Sequence, residues 1–256
     1  MTLPIARNLL PITSLLPLLV LGLPSEALAQ GGPEELSLDD AIALLAQDSG
    51  EPPPTARFTT AVTQFDGDWL ATLYGCVDIT ERLVMNVELD TQGYLAVGAG
   101  YGFSFTRAYV EPYVDYGRSD LIDLYDLGVF GALAVAPSVM AYLMTAHQWR
   151  DTTAFPLLAP SLFDQTEWLT TVGVNYQLVD WMDADLSLSH CRLLSGNRGL
   201  LEVANDNITS ASLALTVNTE PLEPFVRFTV GEHRVRPGDP VITDSSFEFG
   251  VRFAAS

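Results

Sequence analysis

GYLAVGAGYGFSFTRAYVEPYVDYG, from Gly93 to Gly117, decides how this chain is read. Its first arm alternates without interruption. Leu95, Val97, Ala99, Tyr101, Phe103 and Phe105 share one face, and Tyr94, Ala96, Gly98, Gly100, Gly102 and Ser104 the other. Successive side chains of a strand point to opposite faces, so this arm is a strand with one apolar face and one small or polar face. The second arm sets Ala108, Val110, Pro112, Val114 and Tyr116 against Tyr109, Glu111, Tyr113, Asp115 and Gly117. Thr106 and Arg107 alone separate the arms, a tight hairpin connection. Each arm runs about ten to twelve residues, longer than the ~5–6 usual in soluble strands and close to the ~9–11 that cross a bilayer at a tilt. Aromatic residues gather towards the ends of the apolar face, where a membrane interface places them. The expected element is one hairpin of a transmembrane β-barrel.

The N-terminus agrees with an exported protein. Arg7 supplies a positive n-region, Leu9 to Leu23 an apolar run broken by Pro11 and Pro17, and Ala27-Leu28-Ala29 a cleavage site. Residues 1–29 read as a signal peptide, too short and too proline-interrupted to span a membrane as a helix. Beyond Gln30 no run approaches the roughly 18 apolar residues of a membrane helix. An exported chain that is 48% hydrophobic, with positive mean hydropathy, is then either a secreted β-domain or a membrane barrel. Removing residues 1–29 takes away one arginine and one glutamate, leaving 31 acids against 11 arginines and a net charge of −20. That balance excludes nucleic acid as a partner, because phosphate binding needs clustered Lys and Arg. It equally opposes adhesion to anionic lipid surfaces.

Residues 30–56 have a different texture. Ser37 precedes LDDAIALLAQ, which reads as a capped helix with acids in its first turn, and Gly50 and Pro52-Pro53-Pro54 end it in a stiff linker. LSLDDAIALLAQ resembles the opening signature of the outer-membrane factors of efflux systems, which implies a periplasmic location. Packing at the barrel mouth and docking of a periplasmic partner are both left open for this segment. From residue 57 to 256 there are about twelve strand candidates: 57–65, 68–78, 82–90, 94–105, 108–117, 124–136, 139–149, 166–178, 181–191, 207–219, 223–231 and 246–253. Connections after the fourth, sixth, eighth and tenth are short, and those after the fifth, seventh, ninth and eleventh are longer. Short periplasmic turns and long external loops alternate in this way around an outer-membrane barrel. Pro112 is the one misfit, since it cannot donate to a ladder and a closed barrel has no free edge. A bulge or a missing ladder bond is expected there.

The last strand sets Phe247, Phe249, Val251 and Phe253 against Glu248, Gly250 and Arg252. It resembles the C-terminal aromatic strand through which outer-membrane barrels are recognised for assembly, although Ala254-Ala255-Ser256 follow the final aromatic. Over about 200 residues the chain resembles the Gram-negative outer-membrane β-barrels, with no subfamily identified. The resemblance implies an all-β, antiparallel up-and-down barrel with both termini periplasmic. Its partners would be outer-membrane lipid and, through Phe247, Phe249 and Phe253, the barrel-assembly machinery. It further implies a porin-like passive channel. Two alternatives stay beside this one: a non-transporting barrel used as a surface scaffold or adhesin, and a secreted soluble β-domain.

Strand parity assigns Glu88, Asp90, Glu111, Asp115, Asp126, Glu167, Asp183, Asp185 and Glu248 to the lumen, against Arg82, Arg227 and Arg252. Nine acids to three bases predict a preference for cations if the lumen is open, because charged rings set pore selectivity. A twelve-strand barrel is also narrow enough to be closed by its own side chains. Enzymes built on such barrels place His and Ser at the outer rim as an H-x-S pair. Here Ser189-His190-Cys191-Arg192 puts Arg192 where that serine would stand, and His190 reads as a rim histidine. No His, Cys and Asp cluster has metal-ligand spacing, and no cofactor is expected. The G-x-G-x-G of Gly98, Gly100 and Gly102 lies on a strand without the helix that phosphate cradling requires, and reads as room in the lumen. Cys76 and Cys191 leave a disulfide and two free thiols equally open.

Overall fold

The structure is a computed structural model and describes residues 56–120, 122–152, 164–196, 207–219, 221–235 and 241–255. The expected signal peptide and the helix and proline linker of residues 30–55 lie outside the described residues. Thirteen strand segments form one antiparallel sheet: β1 (Ala56–Phe65), β2 (Asp68–Asp78), β3 (Leu83–Asp90), β4 (Leu95–Tyr101), β5 (Phe103–Ser104), β6 (Ala108–Arg118), β7 (Ile122–Ala136), β8 (Val139–Thr152), β9 (Gln165–Val179), β10 (Met182–Gly196), β11 (Asn207–Val217), β12 (Leu222–Gly231) and β13 (Ser246–Ala255). Each strand pairs with its sequence neighbours, β1 zips to β13 from Ala56↔Ala255 to Phe65↔Ser246, and β4 joins β6. Since β4 and β5 are two parts of one stave, the thirteen segments make a closed barrel of twelve. All twelve expected strands are present.

The split between β4 and β5 is the cost of Pro112. Pairing of β4 with β6 ends at Gly100↔Tyr113 and resumes in the same register at Phe103↔Val110 on β5. The missing rung lies opposite Pro112 and Glu111, and the Gly102 amide donates instead to the Arg82 carbonyl at 2.8 Å. On the other side β6 runs unbroken along β7 through Pro112↔Val129. The proline thus removes ladder bonds without shifting the register, one of the two outcomes its chemistry allowed. Elsewhere the turns follow local chemistry. Asp66 and Gly67, with φ of 45° and 86°, form the two-residue hairpin turn whose twist matches the flanking strands.

The outer surface is a band of exposed Leu, Val, Met and aromatic side chains, including Val97, Val114, Leu127, Leu143, Val172, Leu186, Leu188, Leu213 and Val226. Apolar surface on this scale is not left to water. Exposed aromatics ring the band at both margins: Trp69, Tyr125, Trp149, Trp168 and Phe249 at one, Tyr101, Phe103, Phe105, Tyr176 and Trp181 at the other. The first margin is the loop end, where connections 153–164, 197–206 and 232–245 leave the barrel. The second is the terminal end, where Ala56 pairs with Ala255.

Inside, rings lie across glycines of the adjacent strand. A Cβ at Gly128 would fall 2.3 Å from the Tyr113 ring, one at Gly173 2.1 Å from the Tyr142 ring, and one at Gly250 2.6 Å from the Phe225 ring. Each is a directly opposed pair in the register, so the absent side chain of one strand seats the ring of the next. A charge on the outer band tests the placement. Leu188→Arg, near the middle of β10, should lower folding stability in lipid vesicles by about 2–4 kcal/mol, read by urea titration.

Candidate functional site in the barrel lumen

The inward face is polar and acidic. Asp78, Glu88, Glu111, Asp115, Asp126, Glu167, Asp183, Asp185 and Glu223 are buried there with Arg57, Arg150, Arg227, Arg234 and Arg252, and Glu248 is half-buried. Glu111 accepts from the Tyr109 hydroxyl, Asp185 from Tyr142 at 2.9 Å, and Asp183 from Asn218 at 3.0 Å. Asp115 accepts from Asn86 and Asp126 from Gln148, both at 3.2 Å. Arg227 pairs with Glu248 at 2.8 Å, and the Arg252 guanidinium lies 4.3 Å from the centre of the Phe225 ring. Arg57 pairs with Asp78 at the terminal end.

One expected lumen residue belongs elsewhere. Arg82 precedes β3 and is exposed, because the strand starts one residue later than its alternation suggested. Asp90, half-buried, accepts the amides of Gln92 and Tyr94 at 2.7 and 3.0 Å, closing the β3–β4 turn. Arg57, Asp78 and Glu223 were legible as inward by parity, since each stands on the buried face within its expected strand, and Arg150 continues that face one residue past the expected end of its strand. Arg234 carried no such signal, as it lies in a loop.

The described residues of that loop lie at the mouth. After β12 the chain turns inward, and His233 and Ile242 exchange backbone hydrogen bonds of 3.1 and 2.8 Å. Val235 and Ile242 pack with Phe65 of β1 and Leu70 of β2 in an apolar cluster. Arg234 reaches to β9, where its Nη2 donates to Glu167 Oε1 at 2.8 Å, and Arg150 of β8 approaches the same carboxylate at 3.8 Å. The described parts of the β12–β13 connection are therefore tied to both sides of the loop end. His233, with no exposed surface, has Nδ1 2.8 Å from the Gly231 carbonyl and Nε2 2.8 Å from the Ser246 hydroxyl. The carbonyl requires the proton on Nδ1, so Nε2 accepts from the serine.

Cys76 and Cys191 are free and buried in the lumen wall on β2 and β10, which settles the disulfide alternative. Ser189 faces inward and bonds Thr171 at 2.8 Å, whereas His190 faces outward and bonds Thr209 at 3.0 Å. Alternation thus puts the two on opposite sides of the wall. β10 also runs on to Gly196, so His190 sits within the strand rather than at its rim.

Closure, an apolar exterior and a charged lumen together decide the class. The fold is that of an outer-membrane β-barrel of the porin type. The chain superposes on the NanC porin with a TM-score of 0.63 at 13% identity, over 77% of this chain and 98% of that one. It matches the KdgM porin in complex with disordered oligogalacturonate at 0.54 and 12% identity, over 79% and 99%, and KdgM alone at 0.54 and 13%, over 78% and 99%. No protein-family model and no curated protein matches the sequence.

The mouth of this porin fold generates two expectations. Arg234→Ala removes the guanidinium that holds the buried Glu167, and losing one partner of a buried pair costs about 3–5 kcal/mol. Amide exchange at His233 and Ile242 should accelerate accordingly, while the β6–β7 amides stay protected. Burial lowers the pKa of His233 below its ordinary 6.5, against the Gly231 carbonyl that raises it. A lowered base contributes stability that is complete above 6.5 and is lost as pH falls through the folded value. The same two amides should therefore exchange faster at pH 5 than at pH 7.5 after correction for intrinsic rates, and His233→Gln should flatten that difference.

Proposed function

We propose that the protein is a porin-like passive channel of the outer membrane that favours small cationic solutes. The observation that carries this reading is the lumen itself, where nine buried acids face five arginines inside a wall whose outer side is apolar. Arg57 is held by Asp78, Arg227 by Glu248, and Arg234 and Arg150 by Glu167, and because the acids outnumber the arginines the field along the path is negative. The KdgM porin forms a complex with disordered oligogalacturonate, a polymer bearing one carboxylate per sugar. The same ligand would meet repulsion along this wall, so a shared fold does not carry over a shared solute.

The long connections at one end and the paired termini at the other support an orientation with the loop end outside the cell and both termini in the periplasm. Phe247, Phe249 and Phe253 on the outer face of β13 would then be offered to the assembly machinery, and residues 30–56 to the periplasm. The separation of Ser189 and His190 across the wall supports a passive rather than a catalytic barrel, because a nucleophile must reach its base.

A second reading has its own observation. Tyr109, Tyr113, Phe130 and Tyr142 lie in the lumen nearly without exposed surface, and the mouth is spanned by the Arg234–Glu167 tie. A barrel so filled suits a scaffold that presents its loops and conducts nothing. Reconstitution into planar bilayers under a KCl gradient separates the two. Current steps with a reversal potential of cationic sign are expected, and they should shrink towards neutrality in Glu88→Gln/Asp185→Asn. A folded but silent barrel would leave the scaffold reading standing, and an anionic reversal potential would end the selectivity argument.

A further inference from the structure

We propose that the lumen wall between β3 and β8 binds a hard divalent cation of the size of Ca²⁺, through the carboxylates of Asp115 and Asp126 and the carboxamide oxygen of Asn86. This goes beyond the channel reading and holds whether or not the barrel conducts. The residues share one rung of the sheet, Asn86↔Gly98↔Asp115↔Asp126↔Gln148, running across five staves. Asp115 and Asp126 are thus directly opposed on neighbouring strands with both side chains inward, an arrangement that like charges disfavour. Glu167, Glu248 and Asp78 answer burial with an arginine each. No arginine pairs with Asp115 or Asp126 among the described residues.

The hydrogen bonds that do reach them come from neutral amides, and both carboxylates act as acceptors. What remains is a set of buried oxygens with no donor: Asp115 Oδ2, Asp126 Oδ1 and Asn86 Oδ1. Asn86 is 6% exposed, and its amide nitrogen rests on Asp115, so its carboxamide is held against the pair. The Tyr113 hydroxyl, on a side chain 2% exposed, is likewise without a partner and lies in the field of Asp126 and Asp115. Gly98 makes the approach possible. A Cβ there would stand 1.7 Å from Asp115 Oδ1 and 2.7 Å from Asn86 Oδ1.

Buried oxygen lone pairs on one rung of the sheet, without protons to meet them, call for a cation. An all-oxygen set of two carboxylates, an amide and a phenol selects a hard one, and irregular geometry completed by water suits Ca²⁺ better than Mg²⁺. No group of three or more His, Cys, Asp or Glu among the described residues forms a metal cluster. The site escapes that pattern because half of its oxygens are neutral.

The test is calorimetric titration of the full chain, folded in detergent, with CaCl₂ in excess KCl to screen diffuse attraction. One saturable Ca²⁺ per chain is expected, weakened by about 10–100-fold in Asp115→Asn and in Asp126→Asn. Gly98→Ala should weaken it without changing any charge, and exposed Asp151→Asn should leave it alone. Heat-modified gel mobility verifies that each variant has folded. Absence of saturable binding, or binding that survives both Asn substitutions, overturns the proposal. A response to pH with none to Ca²⁺ does so too, since it assigns the pair to a shared proton. The bilayer recordings are independent of all these outcomes, so either idea can fail alone.

Discussion

Inside a bilayer no water is available to a backbone amide, and the rest of this structure follows from that constraint. Every N–H and C=O crossing the apolar layer must find a partner within the sheet, and only a sheet closed on itself supplies one to each strand. Closure sorts the side chains in one step. With a period of two, one face of every stave meets lipid and the other meets the lumen, so the Leu188 row and the Ser189 row are separated by the thickness of a single wall. The same sorting that builds the barrel parts Ser189 from His190 and places Cys76 and Cys191 inside it.

What the lumen then does with its charges is a second problem with three local solutions. At the terminal end Arg57 meets Asp78, and at the loop end Arg234 and Arg150 converge on Glu167. Aromatic rings fill the middle, and those of Tyr113, Tyr142 and Phe225 are each seated on a glycine of the adjacent strand. Where no arginine intervenes, as at Asp115 and Asp126, amide donors soften the burial of the carboxylates. Buried charge without a counter-charge is costly, and such positions are retained where something passes or binds.

The folded-in β12–β13 connection links the two ends of this logic. Val235 and Ile242 pack with Phe65 and Leu70 at the mouth, and Arg234 spans from that side to Glu167 on β9. The described residues of this connection are anchored at the mouth, while each stave beneath keeps a hydrogen-bonded neighbour on both sides.

Much of this was legible from the chain alone. The alternation around Gly93–Gly117, repeated over 57–256, established the number of staves, the face each residue occupies and the weak rung at Pro112, because strand parity is a local property. Parity also placed Glu88, Glu111, Asp115, Asp126, Glu167, Asp183 and Asp185 inside. Arg57, Asp78 and Glu223 stand on the same inward face within their expected strands but were left out of the lumen charges, and Arg150 falls one residue past a strand end drawn short. Which inward residues meet was decided by the tertiary structure. Register brings Asp115 opposite Asp126 across a turn and Asn86 beside them over Gly98, and loop docking carries Arg234 across the mouth to Glu167. Those contacts join residues 11 to 67 positions apart in the sequence, and no periodicity along the chain encodes the shear and loop paths that bring them together.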